Sequence, residues 1–112
     1  MKRGEIYFAD LSPTVGSEIN KRRPVLIVSN DANNRASSTV TVLPVTSSVA
    51  RVYPFEVLLA AQLSGLPKDS KAMAQQIRTI SKDRLHPGKA GELGRDLMRR
   101  IDAAIRLHLA LA

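Results

Sequence analysis

Only one stretch of this chain carries a sustained helical period, and it lies at the end of the sequence. Leu97, Met98, Ile101, Ala104, Ile105, His108 and Leu109 recur at helical spacing, with Arg95, Asp96, Arg99, Arg100, Asp102 and Arg106 mostly opposite, so that one face packs and the other is wet. Gly94 stands at the N-cap position, and Leu93 with Met98 has the spacing of a hydrophobic staple, which fixes how the chain enters the helix. Everything earlier is cut by Pro, Gly, Asn and Ser into short pieces rich in Val, Ile, Thr, Tyr and Phe, the residues that suit a pleated surface. Such a chain must build its core from several short strands closed by one helix. That predicts a mainly β fold with α, a small barrel that buries its edges by curling on itself.

Gly4 to Leu11 reads as a first strand with one well-buried face. Ser12 to Arg23 holds Pro13, Gly16, Ser17 and Asn20 and ends in Lys21-Arg22-Arg23, which predicts an exposed cationic loop. Pro24 to Ser29 is almost wholly apolar, a central strand buried on both faces with a proline tolerable at its first position. Asn30 to Ser38 is turn chemistry. Thr39 to Thr46 alternates Thr with Val until Pro44, which marks an edge or a bulge. A loop from Ser47 to Pro54 carries Arg51 and Tyr53. Phe55 to Leu59 is a short strand, Ala60 to Lys71 a mixed segment around Gly65-Leu66-Pro67, and Ala72 to Ile80 a further strand. Ser81 to Leu85 is a capped turn that His86-Pro87-Gly88 breaks. There is no internal repeat. The 112 residues make one domain, residues 1–112, burying roughly two-thirds of the unfolded surface.

Seventeen basic residues against ten acidic ones leave a net charge of +7, which steers polyanions toward so small a body and makes nucleic acid the first partner to consider. The other reading of the charge is solubility alone. With no cysteine, disulfides, thiolate chemistry and cysteine-bound zinc are excluded, and a cytoplasmic setting fits. No apolar run approaches the roughly 20 residues that span a bilayer. Met1-Lys2-Arg3 leads to Glu5 and Asp10 instead of a signal-type apolar stretch, so neither export nor a membrane is expected.

The two histidines, His86 and His108, are 22 residues apart and imply no metal constellation. There is no glycine-rich phosphate loop and no nucleophile elbow, so no metal or cofactor is expected and any catalysis must come from Arg, Lys, Thr, Ser, Asp or Glu. The strongest local feature is Ser17-Glu18-Ile19-Asn20-Lys21-Arg22-Arg23-Pro24. Its last cation is anchored by a proline and a buried strand, so its guanidinium can present forked donors to phosphate, while Lys21 and Arg22 are freer to bind a backbone nonspecifically. The alternative is a solvated basic turn. Thr46-Ser47-Ser48 ends the third strand, where small hydroxyls commonly form turns.

Gly4-Glu5-Ile6-Tyr7, Arg23-Pro24-Val25-Leu26, Ser29-Asn30-Asp31 with Asn34-Arg35, Pro44-Val45-Thr46-Ser47, and Gln76-Ile77-Arg78-Thr79-Ile80 together resemble the MazF/PemK family of toxin endoribonucleases, almost end to end. The resemblance implies an SH3-like or CcdB-like barrel with a C-terminal helix, a homodimer whose groove takes single-stranded RNA, and a cognate antitoxin with an acidic C-terminal tail. It ties Arg23 and Thr46 to cleavage and matches Ser17, Glu18 and Gln76 to the RNA groove. Lys21, Arg22, Ser47 and Arg78 complete the expected RNA-binding set, and Glu18 is the candidate base. Asn30, Asp31, Asn34 and Arg35 match a turn expected to be structural. Relatives often carry an acid just before the glutamine of the Gln-x-Arg-Thr motif; here that position is Gln75, so no acid–base role transfers to it.

The expected reaction is attack of a ribose 2′-hydroxyl on the adjacent phosphate, which needs no metal and no external nucleophile. Two rivals stay open: a CcdB-like barrel that inhibits gyrase without catalysis, and a basic RNA-binding barrel that does not cut.

Overall fold

The computed structural model describes residues 1–13, 15–18 and 21–112. Thr14, Ile19 and Asn20 lie outside the described residues, and with them the turn role expected of Asn20. The chain forms an antiparallel half-barrel closed by a helix. Its main sheet runs β4-β5-β3-β2-β1-β7, and β6 adds to β3. The strands are β1 (Glu5–Asp10), β2 (Arg22–Ile27), β3 (Thr39–Thr46), β4 (Glu56–Leu59), β5 (Ser70–Met73), β6 (Arg78–Ser81) and β7 (Gly91–Glu92). The curling is therefore incomplete: among the described residues β4 and β7 share no ladder. Close packing of Gly91 against the Ser64 carbonyl, where a β-carbon would overlap it, and the C-terminal helix α3 (Arg95–Leu109) cover the opening.

Both faces of the sheet are apolar. Ile6, Leu26, Leu43 and Val45 pack with Leu93, Leu97, Ile101 and Ala104 under α3, while Ala9, Leu11, Val25, Ile27, Val40, Val42 and Ile80 form a second cluster on the other side. β2 is thus buried on both faces, as its unbroken apolar run requires. Leu93 and Met98 join the same core at the entry to α3, whose N-cap is Gly94. His108 and Leu109, expected on the packed face, are exposed in the last turn of the helix.

Three expectations are corrected. The turn Asn30 to Ser38 contains a helix, α1 (Asp31–Ala36), where the Asn30 side chain accepts the Asn33 amide and Asp31 sits in the first turn. Asn34 is buried, with its Nδ2 donating to the Ser29 carbonyl. A helix this short has no apolar period to read. The cationic loop ends at Lys21, because Arg22 and Arg23 already pair with Asp10 and Ala9 of β1. The strand expected from Ala72 to Ile80 is two strands on one edge of β3. Ala72 faces Val45 and Arg78 faces Val42, so Leu43 and Pro44 of β3 stand opposite the five residues 73–77, which coil into a 3-10 turn at Ala74–Gln76. Pro44, lacking an N–H, falls in this break, so the bulge it predicts lies on the partner strand. The mixed segment before it holds one short helix, α2 (Ala61–Ser64), ended by Gly65 at φ 82°. Ser81 caps the turn after β6 by accepting the Asp83 amide.

No helix of the described residues is long and apolar enough to cross a membrane.

Candidate functional site

The Arg-Arg-Pro start of β2 and the Thr-Ser end of β3 meet at the same end of the sheet. Antiparallel pairing places Pro44 against Val25, which brings Arg22, Arg23, Thr46 and Ser47 onto one cavity of about 180 Å³. Phe8 and Pro24 line it as well, together with Leu66, Pro67 and Lys68, which follow α2 in the chain. Apolar walls of this kind shed water and strengthen the field of the cations they hold.

Each sequence-derived site residue has a definite place. Arg23 is half-buried in β2, held by the β1 ladder. Arg22 is exposed, its guanidinium carbon 5.2 Å from the centre of the Phe8 ring. Thr46 is buried, and its Oγ1 accepts the Ser48 amide at 3.2 Å, which fixes the oxygen and leaves its hydrogen to donate. Ser47 is exposed at the rim. The other candidates do not line this cavity. Ser17 and Glu18 lie on the exposed loop, where Glu18 Oε1 accepts the Val15 amide at 3.0 Å. Lys21 ends that loop at φ 69°. Gln76 closes the 3-10 turn, and Arg78 on β6 donates through Nη1 to the Leu11 carbonyl at 3.4 Å. A larger groove of about 620 Å³ between α1 and α3 includes Arg3, paired with Asp102, and none of these residues. The smaller cavity is the candidate site because Arg22, Arg23 and Lys68 all line it.

A model of the PemK-like, MazF-like toxins of type II toxin–antitoxin systems matches residues 2–109. The chain belongs to this family. It is 46% identical to "Endoribonuclease MazF9" of Mycobacterium tuberculosis, an alignment covering 99% of this chain and 98% of the relative. Among solved structures, MazF of Deinococcus radiodurans superposes with a TM-score of 0.85 at 26% identity, over 99% of this chain and 97% of that one. An endoribonuclease of a mycobacterial species, solved in complex with its cognate antitoxin, gives a TM-score of 0.76 at 28% identity over 100% and 95%.

In this MazF-like chain, sequence reasoning missed Phe8, Leu66, Lys68 and Ser70 of the cavity lining, together with the buried support behind Thr46. Thr46 faces Lys71 across the β3–β5 ladder. Lys71 Nζ donates to Glu56 Oε1 at 2.9 Å and to the Arg51 carbonyl at 2.7 Å, and Glu56 also accepts the Tyr53 amide and Gln75 Nε2. This buried pair clamps both sides of the Arg51–Tyr53 turn. The only advance signal was a lone charge beside apolar residues, Glu56 before Val57-Leu58-Leu59 and Lys71 before Ala72-Met73. Burial pushes the Glu56 carboxyl up, but the Tyr53 amide, Lys71 and Gln75 outweigh it and hold it below its ordinary value. A depressed carboxylate contributes stability that is present above its unfolded pKa and lost as pH falls through the folded one. Lys71→Met, which strands the Glu56 charge, should destabilise the fold by about 3 kcal/mol at neutral pH, and less under acid conditions where Glu56 is protonated. Urea unfolding at neutral pH and at a pH below the carboxylate range checks this; equal losses at both would contradict the pairing.

Proposed function

We propose that this endoribonuclease of the MazF kind cuts single-stranded RNA at the cavity between β2 and β3, by attack of a ribose 2′-hydroxyl on the neighbouring phosphate, without a metal. The observation that carries the reading is the convergence of Arg22, Arg23, Thr46 and Ser47, from two strands, on one partly apolar cavity. Arg23 presents a planar fork to the phosphate oxygens as their charge builds, and the Thr46 hydroxyl donates to the same group. Arg22 and Lys68, neither in a salt bridge among the described residues, hold the flanking backbone. Glu18 is the acid–base candidate: the Val15 amide bonds Oε1, and the carboxylate keeps lone pairs that can take a proton. Ser17, Lys21, Gln76 and Arg78 extend the RNA contacts beyond the cavity.

Sequence selectivity arises on that extended surface, and a homodimer doubles its charge by two-fold symmetry. An antitoxin with an acidic tail, folding as it binds, competes with RNA phosphate for the same cations. The setting is cytoplasmic.

The test is the chemistry of the ends. Purified protein incubated with RNA in EDTA should give fragments bearing a 2′,3′-cyclic phosphate and a 5′-hydroxyl, at the same rate as without EDTA. Fragments with 5′-phosphates, loss of activity in EDTA, or intact RNA would each overturn the reading.

A further inference from the structure

The segment after β6 stitches the far edge of β1 carbonyl by carbonyl. His86 N–H donates to the Phe8 carbonyl at 2.8 Å, and Ala9 bridges Leu85. Arg84 Nη1 then donates to both the Asp10 carbonyl at 3.1 Å and the Ser12 carbonyl at 2.9 Å, and Arg78 Nη1 takes the Leu11 carbonyl between them at 3.4 Å. The carbonyl of Asp10, the last residue of β1, and those of Leu11 and Ser12 just beyond it lie where the ladder ends and take donors from elsewhere. Here two guanidinium groups from a segment about seventy residues away along the chain supply them. The opposite edge of the same stretch carries the catalytic end of β2, with Ala9 facing Arg23 and Asp10 facing Arg22. The loop closes on the same point, since the Leu11 amide donates to the Lys21 carbonyl at 3.1 Å and the Lys21 amide donates to Ser12 Oγ at 3.0 Å. Lys21 is held there in the left-handed region at φ 69°, a conformation that a side-chain-bearing residue keeps only where its surroundings fix it.

We propose that Arg84 is a positioning residue for RNA cleavage: supported by Arg78, it fixes the root of the loop carrying Ser17, Glu18 and Lys21, without contacting the RNA. The proposal rests on the reading that this loop contacts the substrate. Arg23 and Thr46 are held by their own ladders, to Ala9 and Lys71. Loss of Arg84 therefore loosens the RNA grip and leaves charge stabilisation by Arg23 and Thr46 in place, so that the chemical step suffers only through Glu18 on the loosened loop.

Steady-state cleavage of a short RNA separates the two effects. Arg84→Met should raise KM about tenfold, the size expected for losing hydrogen bonds from a charged donor, with kcat falling by clearly less than KM rises, because Arg23 and Thr46 keep their places and only Glu18 rides on the loosened loop. Arg84→Lys, which keeps a cationic donor, should recover most of the loss. The slope of log KM against log salt should match wild type, because no phosphate contact is removed. An unchanged KM, a kcat loss as large as the KM rise, or a salt slope reduced by about 0.7, as one lost contact to a single strand would give, would overturn it. If Arg84→Met does not fold, Arg84→Gln reads the same split. Wild type in the same assay reports on RNA cleavage itself, so failure of that reading is distinct from failure of this one.

Discussion

Arg23→Lys is expected to slow RNA cleavage by about 10²-fold or more, the scale seen when one preorganised donor to a developing negative charge is removed. Lysine keeps the charge and loses the planar fork, so the comparison isolates geometry from electrostatics. Arg23 sits in β2 with its backbone paired to Ala9 and with Pro24 following, so the position is rigid and cannot shift to bring an ammonium into the place of two forked N–H groups. A guanidinium with a pKa above about 12 stays protonated, which makes charge stabilisation its natural role and proton abstraction an unnatural one. RNA affinity should fall much less, since Lys21, Arg22 and Lys68 remain. Single-turnover cleavage measured beside equilibrium binding checks both halves. Cleavage by Arg23→Lys near the wild-type rate would remove the fork from the mechanism.

How far the sequence leads depends on whether a feature is local. The helical period of α3 and the apolar run of β2 are local patterns; α3 forms where its pattern lies, while β2 takes in residues 24–27 of its run, starting earlier at Arg22 and stopping short of Val28 and Ser29. The Arg23-Pro24 junction and the Thr46 strand end are local too, and they are the residues that meet in the cavity. Their meeting is not local: it depends on the β2–β3 register. The same limit hid the rest of the lining, because nothing in Leu66-Pro67-Lys68 reveals that α2 returns them to the mouth of β2. Pro44 announced a bulge without saying on which strand, since its missing N–H only creates a vacancy in the ladder and the neighbour supplies the five residues that bend away. Glu56 looked like an ordinary strand charge, and Lys71 like the end of the mixed segment before the next strand. Only the pairing of β4 with β5 turns them inward against each other, beneath the turn that adjoins Thr46. Arg84 reads in sequence as one more surface cation, and its role at the loop root depends on partners far away along the chain.

The central claim is that the RNA supplies its own nucleophile to a cavity whose protein groups stabilise charge. An RNA in which a single ribose, the one at the scissile position, is replaced by deoxyribose tests this most directly. All phosphates and bases are kept, so binding to Arg22, Arg23 and Lys68 should change little. The 2′-hydroxyl is the one group removed, and it is also what distinguishes RNA from DNA at that position. The account predicts that the modified strand binds the wild-type protein nearly as well as the all-ribose strand and is not cut at that position, in EDTA or in magnesium alike. Cleavage of the deoxy linkage would contradict the account, because the attacking oxygen would then have to come from water or from the protein.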